Sequence, residues 1–78
     1  MYSALEVSKY VIDRCNKNGH PMSNLQLQKI LYYIQGYYLA CFNKPLFKDA
    51  IVAWRLGPTI PSVFEHYKYW GYDPILRP

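Results

Sequence analysis

From Asn24 the chain runs NLQLQKILYYIQGYYLACF to Phe42, with Lys29 its one charged side chain and apolar or aromatic residues pointing in nearly every direction of a helical projection. A helix without a polar face cannot rest on the outside of a water-soluble domain without exposing apolar area, so the pattern predicts the central helix of a small bundle. Its start is marked twice: Ser23-x-x-Gln26 forms a capping box, and Met22 with Leu27 forms a hydrophobic staple across it. Gly36, in the interior, costs about 1 kcal/mol relative to alanine. Its expected use is close approach by another backbone.

Size turns this pattern into a constraint. The chain has 78 residues, and a domain of that size hides only about 60% of the surface its unfolded chain exposes. Yet 51% of the residues are hydrophobic, including nine tyrosines, three phenylalanines and two tryptophans, and each aromatic brings on the order of 150–250 Å². A disordered tail and a two-domain enzyme are both excluded, and an adhesive outer face is expected.

The flanking elements follow from local signals. Ser3-x-x-Glu6 starts a first helix whose apolar stripe runs through Ala4, Val7, Val11 and Cys15, widened by Leu5 and Ile12. Asn18-Gly19 and Pro21 end it. After Asn43-Lys44-Pro45, Leu46-Phe47 and Ile51-Val52-Ala53-Trp54 suit a short β-hairpin or extended segment near residues 46–55, although Asp49 is equally fitted to cap a helical turn. Gly57-Pro58 reads as a turn, and Pro61 opens a third helix through Val63, Phe64, Tyr67 and Trp70 that Gly71 stops. Tyr72–Pro78 is too short and proline-bound for another element. The fold class is mostly α: a small helical bundle around a central hydrophobic helix, with that short β segment, as one domain over residues 1–78.

Charge and motifs exclude more than they assign. The net charge of +4 comes from scattered basic residues with no run, which is not the footprint of a polyanion binder. The N-terminus lacks a secretory pattern and the longest apolar run, Gly36 to Phe42, is far short of the roughly 20 residues of a membrane span; a cytoplasmic protein without membrane contact is expected. Cys15, His20, Cys41 and His66 would make a zinc set by count, but antiparallel helices would hold the two cysteines ~25 Å apart. Neither metal, disulfide nor cofactor is expected, and both cysteines read as buried structural thiols. Ser62 and His66 share a helix face, but Glu65 points about 100° away from His66 and no oxyanion site accompanies them, so no enzyme is expected. The strongest rival is a helix-turn-helix DNA binder presenting Ser23, Asn24, Gln26, Gln28 and Lys29. Against it stand a long, proline-constrained connection and a second helix with no open polar face.

Two stretches carry more specific information. Asn24-Leu25-Gln26-Leu27-Gln28-Lys29-Ile30-Leu31-Tyr32-Tyr33-Ile34-Gln35-Gly36 resembles the central-helix motif of the SocA-like antitoxins, or Panacea domain, a group also described as phage-associated proteins. Pro45-Leu46-Phe47 followed by Ala53-Trp54-Arg55-Leu56-Gly57-Pro58-Thr59-Ile60-Pro61 resembles the second motif of that family, in the same order. The resemblance spans residues 3 to 70. It implies a helical, non-enzymatic antitoxin module that binds and neutralises a cognate toxin protein, in some relatives handing it to a Clp-type protease. It also implies further C-terminal helices, so an exposed apolar face or a homo-oligomer is expected here. Tyrosine, tryptophan and arginine dominate binding energy at interfaces, which makes Tyr32, Tyr33, Trp54, Arg55 and Tyr67 the candidate partner-binding residues. Lys29, charged within apolar surroundings, joins them. The competing expectation is that most of these aromatics are core, with Trp54 packed on the central helix.

Overall fold

A computed structural model describes all 78 residues as α1 (Ala4–Lys17), α2 (Asn24–Phe42), β1 (Val52–Trp54), β2 (Gly57–Thr59) and α3 (Pro61–His66), followed by a 3₁₀ turn at Lys68–Trp70. Both capping boxes form. The Ser3 hydroxyl accepts from the Glu6 N–H at 3.1 Å while the Glu6 carboxylate accepts from the Ser3 N–H at 2.9 Å. Ser23 and Gln26 repeat the exchange at 3.3 and 2.9 Å. In α1 the fully buried line is Ala4, Ser8 and Ile12, with Val7, Val11 and Cys15 on its margin. Ser8 enters the core because its hydroxyl donates back to the Ala4 carbonyl at 2.7 Å.

The β segment is a hairpin, set later in the chain than Leu46. Val52 pairs with Thr59, Ala53 with Pro58 and Trp54 with Gly57, around a turn at Arg55-Leu56. Gly57-Pro58 therefore forms strand rather than turn; Gly57, at φ 114°, is the residue able to bring the chain back into the ladder. Leu46-Phe47 instead pairs with the N-terminus: the Tyr2 N–H donates to the Leu46 carbonyl at 3.0 Å and the Lys48 N–H to the Tyr2 carbonyl at 3.3 Å. Asp49 caps no helical turn of its own and instead closes onto the first turn of α1. Its carboxylate accepts from the Ala4 N–H and from the Ser62 hydroxyl, each at 2.7 Å, tying α1 to α3.

The core joins Ala4, Ile12, Leu27, Leu31, Phe47, Ile60, Val63 and Tyr67 to Met22 and to Ile75 of the irregular C-terminal segment. Ile75 is held by its N–H, which donates to the Met22 carbonyl at 2.8 Å, and by its carbonyl, which accepts from the Asn16 amide at 3.1 Å. α2 is the central helix, touching α1, α3 and β2. Its covered face carries side-chain amides. The buried Ile60 N–H donates to Gln28 Oε1 at 2.8 Å; Gln28 donates to Asn24 Oδ1 at 3.0 Å; Asn24 donates to the Phe64 carbonyl at 3.0 Å. Two turns on, Gln35 accepts from the Leu46 and Phe47 N–H groups at 2.8 and 3.2 Å and donates to the Phe47 carbonyl at 2.7 Å.

Enclosure of α2 stops half-way. Asn24, Leu27, Gln28 and Leu31 are buried, whereas Tyr33 is 71% and Tyr37 74% exposed. Beyond the neighbouring turns of its own helix, no atom of residues 1–78 lies within 4 Å of a Cβ placed at Gly36, so these residues do not supply the backbone expected to approach that glycine. No helix is long and apolar enough to cross a membrane.

Replacing Gln28 by alanine leaves the buried Ile60 N–H without its acceptor, with an expected loss of about 1–3 kcal/mol, read as a lower urea midpoint at unchanged slope. Acid should act at the start of α1. Burial raises the Asp49 pKa, but hydrogen bonds from Ser62 and Ala4 outweigh it and hold the carboxyl below its usual range; the Ser3 N–H does the same for Glu6. With folded values below unfolded ones, this stability is complete above ~pH 4–4.5 and drains away as pH falls through the folded values. Thermal melts from pH 6 to 2 should show that decline, and Asp49→Asn, with no charge to lose, should flatten it.

Candidate functional site

The six residues marked by sequence fall in different places. Trp54 and Arg55 stand together at the hairpin tip. Trp54 is held upright by an edge-on contact with Phe64 of α3, ring centroids 5.5 Å apart, and is 44% exposed. With Leu25 of α2, Leu56 and Thr59 it lines an open groove of about 330 Å³. An adjoining depression of about 250 Å³ extends it past Leu56 and Phe64 to Lys68 and Tyr72. Lys68 pairs with Glu65 at 3.1 Å, whereas Arg55 has no ion-pair partner. The result is an apolar trough with a free guanidinium at its lip. It suits an apolar side chain whose neighbour is a carboxylate or a backbone carbonyl.

Tyr32 and Tyr33 lie on the open side of α2, away from this trough's lining, where Tyr37, Leu39 and Ile51 complete a shallow surface of about 690 Å³. Lys29 is exposed on a third area beside His20, Pro21, Gln26 and Ile30. Tyr67 is not a surface residue. It is 2% exposed, burial raises its phenol pKa, and its hydroxyl donates to the Pro78 carbonyl at 3.1 Å. As a partner contact it is corrected to a core residue, because the chain tightens from α3 into the 3₁₀ turn there and carries the ring inward.

The same geometry bears on other sequence readings. Four of the five side chains a recognition helix would present are committed to the fold: Ser23 and Gln26 to the capping box, Asn24 and Gln28 to the buried relay. Ser62 faces Asp49 rather than His66, whose ring meets Tyr67 edge-on. Cys15 and Cys41 are free thiols, and Cys41 is exposed rather than buried. Leu25, Leu56 and Phe64 were not singled out by sequence. A leucine in the two-residue turn at Arg55-Leu56 stands where polar residues are usual, a signal hidden by reading the turn at Gly57-Pro58.

Comparison with known proteins assigns the chain. The family model described as Antitoxin SocA-like, Panacea domain, matches residues 27–77. The chain belongs to that family. It is 36% identical over 74 residues to Antitoxin SocA of Caulobacter vibrioides (strain NA1000 / CB15N), a match covering 95% of this chain and 39% of that protein. This Panacea chain thus spans about two fifths of the relative's length. No solved structure matches it. The family suggests a non-catalytic regulatory protein, and the matched span contains Gln28, Gln35 and the whole hairpin. The two glutamines that anchor the hairpin therefore lie within the matched span, while Asn24 of the relay and Leu25 of the trough immediately precede it.

The division between surface and core is measurable. Tyr67→Ala should cost about 3–5 kcal/mol, as large core truncations do. Trp54→Ala should cost about 1 kcal/mol, the loss of a half-buried ring and one aromatic contact. Arg55→Ala should leave the thermal midpoint within about 2–4 °C, the size expected of a surface change in a domain this small.

Proposed function

We propose that this Panacea chain acts as an antitoxin module, capturing a cognate toxin protein by seating an apolar side chain of it in the trough between the hairpin tip and α3. Trp54 and Leu56 supply the walls, Phe64 and Leu25 the floor, and Arg55 a charge-assisted bond at the lip. Family membership supports the antitoxin role. The observation that carries the choice of surface is the pairing of a half-exposed, edge-braced tryptophan with an unpaired arginine over an apolar floor. Residues of these two types concentrate binding energy when they sit in a pocket that excludes water. Neutralisation then needs no chemistry from this chain: it follows from occupying the surface the toxin uses on its own target. Delivery of the captured toxin to a Clp-type protease is the second half of this reading, and it takes place in the cytoplasm.

Co-expression of the tagged chain with the protein encoded beside its gene tests the capture. The expected outcome is stoichiometric co-purification and relief of growth arrest. Trp54→Ala and Leu56→Asp should each weaken binding by about 10-fold or more, the size of a hot-spot truncation, with melts confirming that the variants fold. Retention of full affinity by both folded variants would move the site elsewhere. A toxin half-life that is unchanged by the antitoxin in cells with active protease would remove the delivery step.

A further inference from the structure

The open side of α2 has no role in toxin capture as proposed, and its occupant can be argued from its own composition. From Ile30 to Asn43 there is no charged residue. A second molecule carrying the same +4 charge meets no like-charge repulsion along this run. Gly36 lies at its centre, mid-helix, where glycine weakens a helix and where nothing in the chain occupies the space a Cβ would take. Residues 1–78 make no contact that requires that glycine.

The side chains around it are unequal. On the N-terminal side stand two tyrosines, Tyr32 and Tyr33, 45% and 71% exposed; on the C-terminal side stand Leu39, 48% exposed, and the exposed Ala40. We infer that two copies of this chain associate through α2, antiparallel, about a two-fold axis passing near Gly36. In that register Tyr32 of each copy lies beside Leu39 of the other and Tyr33 beside Ala40, on the same sides of the seam, so each large ring meets a smaller residue and the two glycine backbones approach. A parallel arrangement would instead set each tyrosine against itself. The antiparallel one also opposes the two helix dipoles, and it is isologous, which closes the assembly at two.

The area is adequate for a weak dimer. The exposed fractions of Tyr32, Tyr33 and Tyr37, at about 150–250 Å² per aromatic, leave roughly 400 Å² of ring surface per copy, and Phe42, about 120° round the helix from Gly36, lies off this face. Leucine, alanine and rim atoms add to it. One partner of a standard interface contributes about 800 Å². A dissociation constant on the order of 10 µM is expected, at the weak end for such an area.

Sedimentation equilibrium of the full chain from about 1 to 200 µM, a range bracketing that constant, should fit a monomer–dimer equilibrium. Tyr33→Lys should abolish the dimer, whereas Tyr10→Lys, at a tyrosine of α1 that is 64% exposed against 71% for Tyr33, should leave it intact. Gly36→Ala separates this proposal from general adhesiveness, because its two effects have opposite signs. The monomer at low concentration should melt about 4–8 °C higher, as glycine's helix cost is removed, while the dimer should weaken about 10-fold as two methyl groups part the backbones. Under oxidising conditions Cys41 should form no disulfide-linked dimer, since the antiparallel register holds the two thiols ~15 Å apart along the axis. A monomer throughout the concentration range overturns the proposal. So does a Gly36→Ala dimer of unchanged or higher affinity, loss of association in Tyr10→Lys, or ready Cys41–Cys41 coupling. Toxin binding reads out separately through Trp54, so failure here leaves the capture proposal standing.

Discussion

The fold hangs on three side-chain amides on one face of α2. Residues 43 to 60 form only a three-residue-per-strand hairpin and a single β-bridge, too little regular structure to pair their own backbone groups once they are buried. Gln28 and Gln35 pair them instead, taking the N–H groups of Leu46, Phe47 and Ile60 and giving to the Phe47 carbonyl, while Asn24 accepts from Gln28 and gives to the Phe64 carbonyl of α3. A buried donor left without such a partner costs more than an ordinary hydrogen bond contributes. The amides therefore do more than add stability: they set where the extended segment crosses the helix, and with it where Trp54 and Arg55 stand.

This arrangement inverts the usual polarity of an amphipathic helix. Among the residues of α2 that turn inward are Asn24, Gln28 and Gln35, while Tyr32, Tyr33, Tyr37 and Leu39 face out. A helix apolar all round has no intrinsic inside, so the hydrophobic effect alone leaves its rotation about its axis undetermined. The hydrogen-bonding demand of the irregular segment breaks the tie, because only one rotation brings both glutamines, seven residues apart, to the chain that needs them. An exposed aromatic face is the consequence of that choice. Tyrosine suits it, since the ring contributes apolar contact and the hydroxyl stays hydrated.

Local signals were legible in the sequence and non-local ones were not. Both capping boxes, the stop at Asn18-Gly19 and proline at the first position of α3 depend on residues within a few positions of one another, and each marks the element boundary found. Periodicity did less well where it lacked contrast: α2 offered apolar residues at every phase, so its existence was plain and its orientation was not. Gln28 read as a residue able to contact a base edge, because nothing local reveals that its partner is Ile60, 32 positions away. Ile75 shows the same limit, as one isoleucine between prolines has no period yet fills the core. At the site, residue type alone pointed to Trp54 and Arg55. It also pointed to Tyr67, whose burial is decided by the tightening of α3 into a 3₁₀ turn.

The trough and the open face of α2 differ in physical character, and the difference bears on how a Panacea domain could serve two partners. The trough is small, braced by a T-shaped aromatic pair and bordered by one unpaired positive charge. Such a site discriminates, because an occupant must supply both an apolar group and an acceptor. The face of α2 is broad, uncharged and shallow, which favours area over selectivity and a partner whose shape repeats its own. Both surfaces are positioned by the same helix: Leu25 opens the trough at its start, Gly36 centres the face further on, and the amides between them anchor the hairpin. A change to Gln28 or Gln35 would therefore disturb the trough through the hairpin while leaving the outward-facing tyrosines on a helix that still forms. The order of sensitivity follows from the connectivity: the proposed capture at the trough would depend on the clasped loop, and the proposed association through α2 on the helix alone.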